Sequence, residues 1–308
     1  MKKAAVFCSH GLGDGLIFLS LAYNLSKNGF TVDTYHPSLL ELQNWVKYTK
    51  LKKEPLEENI LETLKNYDLI IINSDYREIN KKIKDCILKN YADIFFELHP
   101  TTCKSKSNPI GSMRFDCHKN IMLNLKDFCE KKLDIKCFEA NDLLTPFSKL
   151  IHRKNKNRII IHPTSKDIEK NWPNRKYEML CVKLKKRGFD CKIILTKDEK
   201  KNYVTNFETP EFNNLSELAC YIYESGYKIG NDSGISHLAS LLNIPTLTIF
   251  STKRKMRFWR PFKNNSVVVS FPLINIKGLR LREKYWKYTI SVRRVLKEFK
   301  KILRKEKI

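Results

Sequence analysis

Short apolar runs alternate along the chain with stretches in which apolar residues recur at helical spacing. In the first half, this pattern predicts a helix at 16–27 and strands at 4–9, 31–35, 69–72 and 93–98. In the second half, it predicts strands at 158–162, 191–195, 227–230 and 246–250. It also predicts one helix that ends at 187, one that starts near 198, and two that span 215–225 and 235–242. Such alternation is typical of parallel α/β folds, in which helices cover the faces of a sheet.

Two stretches interrupt this pattern and divide the chain. Residues 100–118 are rich in Ser, Thr, Asn and Pro, which predicts a loop. Residues 138–157 show little periodicity and end in a run of basic and Asn residues, which we interpret as a domain boundary. We therefore expect α/β domains at 1–150 and 151–284, with a cleft between them and a ligand at the carboxyl ends of the strands.

The last stretch, 285–308, combines an apolar stripe with a basic face. Helical spacing places on one side Val292, Val295, Leu296, Phe299 and Leu303. The other side carries Arg293, Lys297, Lys300, Lys301 and Arg304. From Leu279 to Ile308 the chain has 12 Lys and Arg against 3 Asp and Glu. We expect a helix that buries its stripe on the body of the protein and whose basic face either contacts an anionic surface or only aids solubility.

The charge of the whole chain is also strongly positive, at +25 over 308 residues. Such an excess indicates an acidic partner: a nucleic acid, an anionic membrane surface or a polyanionic substrate. Part of it reflects a composition in which Lys far outnumbers Arg. No apolar stretch is long enough to predict a membrane-spanning helix.

Cysteine usage and the N-terminus indicate a cytoplasmic protein. The nine cysteines are scattered without a Cys-x-x-Cys pair, which predicts free thiols in a reducing compartment and no zinc site. The apolar run at 4–8 after Met1 is too short for a signal peptide and gives way to a polar, glycine-rich turn.

The most informative motif is the run Gly-Asn-Asp-Ser-Gly-Ile-Ser-His at 230–237. It joins a buried strand to a helix, so Asp232, Ser233 and Gly234 fall at a helix start. Helix starts offer unpaired N–H groups and partial positive charge, and they bind phosphate. His237, one turn further on, could add a donor. The alternative is an ordinary capped turn with a packed histidine.

A second glycine-rich turn follows the first predicted strand. Gly11 and Gly13 would let the backbone approach a ligand and adopt left-handed dihedrals. Asp14 then stands at a helix start, either as a functional acid or as an N-cap. The spacing is not that of a dinucleotide-binding fingerprint.

Two further segments follow strands of the second half. In the segment 162–173, Thr164 and Ser165 offer hydroxyls and Lys170 offers a charge suited to phosphate, whereas Trp172 fits a structural role. Glu199 follows the strand at 191–195. It could accept hydrogen bonds from ribose hydroxyls or serve as a first-turn acid of a helix.

Taken in order, the Gly-Leu-Gly-Asp turn, the His-Pro segment with Lys-Asn-Trp-Pro, and the Asn-Asp-Ser-Gly-Ile-Ser-His run resemble the family 9 glycosyltransferases. These are the bacterial heptosyltransferases of the lipopolysaccharide inner core. The resemblance is strongest from 158 to 250. The chain departs from the family pattern where Ser233 replaces the commoner Thr, after His-Pro, and in the Ser-Thr-Lys-Arg-Lys-Met run at 251–256.

The resemblance implies a GT-B fold, two Rossmann-like domains with a C-terminal helix that crosses back to the N-terminal one. It implies inverting, metal-independent transfer from ADP-heptose, used as a substrate without a cofactor, to an anionic glycolipid acceptor at the inner membrane. It assigns Asp14 as the general base, beside the glycines Gly11 and Gly13. For the donor diphosphate and sugar it assigns Thr164, Ser165, Lys170, Glu199, Asp232, Ser233, Gly234 and His237.

Two other functions remain open from the residues. One is glycosyl transfer from another nucleotide sugar to another glycan or to a protein. The other is a non-catalytic, basic nucleic-acid-binding α/β protein. Since no helix-turn-helix, zinc-finger or RNA-binding motif is recognisable, we expect no nucleic-acid partner.

Overall fold

The structure, a computed structural model, describes residues 1–99, 113–139, 142–165, 167–263, 265–270 and 285–306. The chain forms two compact units, Met1–Thr145 and Pro146–Ile308. The division falls within the aperiodic stretch 138–157. Each unit contains a parallel sheet with helices, so the predicted two-domain α/β fold is confirmed.

The sheet of the N-terminal unit has its described strands in the order β3-β2-β1-β4-β5-β6. These strands are β1 (Lys3–Phe7), β2 (Thr31–Tyr35), β3 (Lys50–Lys52), β4 (Leu69–Asn73), β5 (Phe95–His99) and β6 (Met113–Arg114). Val6 pairs with Thr34 on one side and Ile71 on the other. The carboxyl ends of β1, β2 and β4 therefore meet at one edge, where side chains from all three can converge.

The helices of this unit are α1 (Leu12–Lys27), α2 (Ile60–Leu64), α3 (Glu78–Asn90) and α4 (Ile121–Lys132). Helix α1 packs against β1, β2 and α4. A core of sheet residues such as Phe7 and Ile72 is closed by Leu64 of α2 and by Ile83 and Ile87 of α3.

The sheet of the C-terminal unit has the order β11-β10-β9-β7-β8. Its strands are β7 (Asn155–His162), β8 (Asp190–Ile193), β9 (Ser225–Asn231), β10 (Thr246–Phe250) and β11 (Asn265–Val269). Its described helices are α5 (Asn174–Lys185), α6 (Lys197–Lys200), α7 (Leu215–Tyr223), α8 (Gly234–Leu241), α9 (Lys253–Trp259) and α10 (Val292–Lys305). β7, β9 and β10 are the inner strands, and their carboxyl ends carry the motifs singled out above.

The apolar stripe of the terminal helix packs within the C-terminal unit. The stripe of α10 is buried in the core of the C-terminal unit, where Phe299 meets Tyr227 edge-on at 5.1 Å between ring centroids. Helix α10 lies along α5 and β11, so its stripe covers this sheet. Ile302 belongs to the buried stripe, whereas Leu303 is only half-buried.

The glycine turn also differs from the expectation. Helix α1 begins at Leu12, four residues earlier than predicted, so the second glycine of the turn lies inside the helix. Gly11 is the N-cap residue with φ of −70°, and the described glycines with positive φ are Gly29 and Gly188. Gly11 and Gly13 therefore do not adopt the left-handed dihedrals that glycine permits. Asp14 is not the N-cap but an acid of the first turn.

Several strands and helices were not predicted from the sequence pattern. The sequence analysis did not predict the strands β3, β6 and β11 or the helices α2, α3, α4 and α9. Residues 100–112 of the predicted loop lie outside the described residues, as do 279–284 of the basic stretch. Eight cysteines in the described ranges are free, as expected. Within those ranges, no helix combines the length and apolarity needed to cross a membrane.

Candidate functional site

Asn231, at the carboxyl end of β9, organises the turn that leads into α8. Its side-chain oxygen accepts from the backbone N–H of Trp172 at 3.1 Å and from the hydroxyl of Tyr177 at 2.7 Å. Its side-chain nitrogen donates to the carbonyl of Pro163 at 2.5 Å. Because Asn231 is fully buried, these bonds fix the loop after β7 and helix α5 relative to the end of β9.

Helix α8 begins at Gly234, as the motif predicts, with Ser233 in extended conformation as the N-cap residue. The Ser233 hydroxyl does not cap the helix; it lies 2.9 Å from Nδ1 of His162, at the end of β7. The Ser236 N–H donates to the Ser233 carbonyl at 3.0 Å, and the N–H groups that precede it at the helix start lie where an anion can bind.

Two buried histidines flank this helix start and stay uncharged. Burial lowers the pKa of His237 to about 4, with further contributions from the charges of Lys228 and Lys170. Burial likewise lowers the pKa of His162 to about 4; Glu199 opposes this shift and Lys228 adds to it. At neutral pH both rings are neutral and can donate or accept hydrogen bonds at the site.

The loop after β7 brings Lys170 to the same place. Lys170 is half-buried, and its charge acts on His237, which places it near the start of α8. Trp172 is fully buried and donates its indole N–H to the carbonyl of Ile290 at 3.0 Å, which confirms its structural role. Ser165 lies 2.7 Å from the side-chain oxygen of Asn171, so its hydroxyl holds the loop in shape.

Thr164 and Glu199 gather around the other nitrogen of His162. Nε2 of His162 lies 3.4 Å from the Thr164 hydroxyl and 4.0 Å from the Glu199 carboxylate. Glu199 also caps α6 by accepting from the backbone N–H of Thr196 at 2.7 Å. Burial raises the pKa of Glu199, but His162 and the hydrogen bonds outweigh it, so the carboxylate stays ionised at neutral pH.

Lys228 lies beneath the turn and was not among the predicted site residues. It is fully buried in the middle of β9, and its ammonium contacts the Asn231 carbonyl at 3.4 Å and the Ser236 hydroxyl. Burial lowers its pKa to about 7, against the opposing charge of Asp232. A buried positive group therefore lies below the motif that the sequence indicates for an anion.

In the N-terminal unit, Asp14 lies over the N-cap of α1. A Cβ atom at Gly11 would collide with Oδ2 of Asp14, so a larger residue there would displace the carboxylate. Burial raises the pKa of the Cys8 thiol, and the charge of Asp14 adds to this effect. The acid thus stands at the carboxyl end of β1, where the helix dipole stabilises its charge.

His36, just after β2, supports this turn and was also missed. Its Nδ1 accepts from the backbone N–H groups of Ser38 and Leu39 at 3.0 and 3.2 Å. Nε2 therefore carries the proton and donates to the Gly11 carbonyl at 3.2 Å. A Cβ at Gly15 would lie 2.7 Å from the ring. Burial, with the nearby charge of Arg77, lowers the pKa of His36 to about 4, so the ring is neutral.

An ion-pair network borders the same edge of the N-terminal sheet. Arg77 binds Glu54 through two hydrogen bonds of 2.6 Å and Asp75 through one of 2.7 Å. Asp75 also accepts from the backbone N–H of His10 at 3.1 Å. Bidentate pairing of this kind fixes the geometry of side chains around a site.

The structure thus brings most of the predicted donor-side residues together around His162 and the start of α8. Asp14, with its glycines, forms a separate group in the N-terminal unit. His162 and His36 were detectable in principle, because His162 ends a predicted strand and His36 directly follows another. Over the described ranges, no group of three His, Cys, Asp or Glu side chains is arranged to hold a metal ion.

The model of glycosyltransferase family 9 (heptosyltransferase) matches residues 119–288, more than half of the chain. The chain belongs to glycosyltransferase family 9. The match includes every predicted donor-side residue, so the cluster around His162 and α8 falls within the part of the chain that defines the family.

Two curated relatives carry heptosyltransferase names. The chain is 29% identical over 124 residues to lipopolysaccharide heptosyltransferase 3 of Escherichia coli. It is 35% identical over 126 residues to lipopolysaccharide heptosyltransferase 1 of Campylobacter coli. Each alignment covers 36% of this chain and 36% of the relative, so the matches span about a third of the length of these curated relatives.

Solved structures share the fold over the whole chain. The E. coli ADP-heptose lipopolysaccharide heptosyltransferase II has a TM-score of 0.72 at 16% identity, covering 100% of both chains. The dodecameric iron-containing heptosyltransferase TibC, in complex with ADP-D-beta-D-heptose, has a TM-score of 0.61 at 12% identity, covering 99% of this chain and 76% of TibC. At these identities the likeness establishes the GT-B fold of the heptosyltransferases for this chain.

Proposed function

We propose that this family 9 chain is an inverting glycosyltransferase that moves a heptose from ADP-heptose onto an inner-core lipopolysaccharide acceptor. The observation that carries the proposal is the meeting of His162, Ser233, His237 and Lys170 at the start of α8, inside the part of the chain matched by the family. The names of the curated relatives support the sugar and the acceptor class.

The donor side stabilises the leaving diphosphate. As the bond between the anomeric carbon and the phosphate oxygen breaks, its electron pair and negative charge pass to the diphosphate. Lys170, the N–H groups around Ser233 and Gly234, and the hydroxyl of Thr164 would receive that charge. Donors fixed in advance, in a largely buried setting, stabilise a developing anion without reorganising at the moment of reaction.

Asp14 activates the acceptor. An acceptor hydroxyl attacks the anomeric carbon from the face opposite the leaving group, and its proton passes to the Asp14 carboxylate. This single displacement inverts the configuration at that carbon. The neutral ring of His36, bonded to Gly11, fixes the backbone on which Asp14 stands.

The proposed reaction needs no metal, because charge from Lys170 and the helix start takes the place of a cation on the diphosphate. The iron-containing neighbour TibC makes this part worth a separate test. We expect activity to survive a chelator. Activity that disappears with chelator and returns with Mg²⁺ or Fe²⁺ would show that the transfer depends on a metal.

The transfer itself is tested with purified protein, ADP-heptose and a lipopolysaccharide core acceptor that lacks the terminal heptose. We expect the acceptor to gain the mass of one heptose and ADP to be released, with inversion at the anomeric carbon. Parallel reactions with UDP- and GDP-sugars test the alternative donors. Transfer only from one of those would replace ADP-heptose in the proposal.

The proposed site of action is the cytoplasmic face of the inner membrane, where such an acceptor is anionic. The basic side of α10 supports this location, because Arg293, Lys297, Lys300 and Arg304 are all exposed. Basic groups near an anionic surface add about 1 kcal/mol each at most. The contact would therefore be peripheral and sensitive to salt.

A further inference from the structure

Lys228 is a buried, ionisable group that the proposed mechanism does not use. It pairs in register with Ile160 of β7 and Thr246 of β10, and its side chain has no exposure to solvent. Its neighbours Tyr227 and Ile229 point into the core shared with α5 and α10. Because side chains alternate along a strand, Lys228 points to the opposite face, toward α8.

Its ammonium contacts both ends of the segment that joins β9 to α8. Nζ contacts the carbonyl of Asn231, the last residue of β9, at 3.4 Å, and the hydroxyl of Ser236 in α8. The Ser236 hydroxyl also lies 2.8 Å from the Asn231 carbonyl. Lys228 therefore links strand and helix across the segment that contains Asp232, Ser233 and the first turn of α8.

The charged and titratable groups around Lys228 are few. Asp232 follows on its own strand, His162 faces it from β7, and His237 faces it from α8. β10 contains no ionisable residue, and Glu217 in α7 is not among the groups that shift the pKa of Lys228. With both histidines neutral above about pH 5, Lys228 is the group of this cluster whose charge changes near neutrality.

We propose that Lys228 is a positioning residue for the donor, and that its ammonium makes the affinity of the α8 turn for a nucleoside diphosphate depend on a proton bound at this lysine. The inference rests on the proposed function for the class of ligand. It adds a residue and a pH dependence to that same site.

The dependence follows from linkage between proton and ligand. The pKa of Lys228 is about 7 without ligand. A diphosphate at the start of α8 favours the charged lysine, so binding raises this pKa and takes up a proton near pH 8. Affinity then falls as pH rises through the pKa of the bound state. If that pKa is about 8, the loss attributable to Lys228 is about tenfold between about pH 6 and about pH 9.

A structural role alone predicts something different. A lysine that only ties Asn231 to Ser236 would change stability or overall affinity, but it would not add a pH slope to ADP binding. Lys228→Met keeps the length of the side chain without its charge. The control is Lys183→Met, which removes an exposed lysine of α5 in the same unit. Lys183 lies far in sequence from the run 230–237.

The test is calorimetry with ADP from about pH 6 to about pH 9, in buffers of different ionisation enthalpy. ADP has a titrating phosphate of its own, which changes its affinity with pH in every variant. The quantity to compare is therefore the slope of log affinity for ADP against pH in wild type minus the same slope in Lys228→Met. We expect wild type and Lys183→Met to lose about tenfold more affinity than Lys228→Met, and to take up protons near pH 8. Equal slopes in wild type and Lys228→Met would overturn the inference and leave the proposed function standing.

Two other outcomes of this experiment are also informative. If Lys228→Met fails to fold, the test rests on the protons that wild type takes up when it binds ADP near pH 8, where free ADP is fully ionised. We expect such uptake, and its absence would contradict the inference. If ADP does not bind but UDP or GDP binds with a slope that depends on Lys228, the proposed donor is wrong and the inference stands.

Discussion

The two units each present a strand-to-helix turn, but the turns are supported in different ways. In the C-terminal unit, the turn after β9 lies over the buried ammonium of Lys228 and beside two neutral histidines. In the N-terminal unit, the turn after β1 carries the acid Asp14 and is supported by the neutral ring of His36.

Under the proposed function, this difference gives the two turns different chemical roles. Positive charge beneath a helix start favours an anion that arrives from outside, whereas a carboxylate at a helix start already fills that position with protein charge. The same local geometry therefore suits anion binding in one unit and proton acceptance in the other.

The largest effect is expected at Asp14. Asp14→Asn keeps the size and polarity of the side chain but cannot accept the acceptor proton, so turnover should fall at least ~100-fold. Steady-state transfer from ADP-heptose measures it. Asp85→Asn, an exposed change in α3, is the matched control and should leave turnover unchanged. An Asp14→Asn protein with ordinary turnover would remove this residue from the mechanism.

What the sequence could predict in advance differs between these turns. The start of α8 was predictable because a polar motif directly follows a buried strand. The beginning of α1 was not, because glycines are typical of turns and the close approach of His36 to Gly15 is a tertiary contact that the local sequence does not reveal. Contacts between distant positions, such as His162 with Ser233, leave no periodic signal in the chain.

Lys228 and α10 illustrate the same limit. A lysine within an apolar run does not disclose that its ammonium is buried under a helix start. The stripe of α10 was visible from its spacing, but periodicity identifies an apolar face without identifying what covers it. Here that cover is the core of the C-terminal unit, where Phe299 packs on Phe189 and Tyr227.

A smaller effect, on stability, is expected at Asn231. Asn231→Ala leaves the buried Tyr177 hydroxyl and the Trp172 N–H without their acceptor, at about 1–3 kcal/mol for such groups. We expect the free energy of unfolding in urea to fall by about 2–3 kcal/mol. The exposed control Asn202→Ala should stay within about 0.5 kcal/mol of wild type. Equal losses in the two variants would show that Asn231 does not organise the turn.

The smallest effect per residue is expected on the basic face of α10. Reversing the charge of Arg293, Lys297, Lys300 and Arg304 to Glu should abolish sedimentation with anionic vesicles, while the buried stripe keeps the helix in place. Binding of wild type should disappear at high salt and with neutral vesicles. If wild type and the reversed protein partition equally, the basic face serves solubility only.

The division between the two turns is tested most directly by calorimetric titration of ADP into wild type, Asp14→Asn and Lys170→Ala. We expect Asp14→Asn to bind ADP as wild type does. Lys170→Ala should lose about 1.5–3 kcal/mol, which is about 10- to 150-fold in affinity, because it removes a charge-assisted contact to the diphosphate. Unchanged affinity in Lys170→Ala, or an equal loss in Asp14→Asn, would contradict the account.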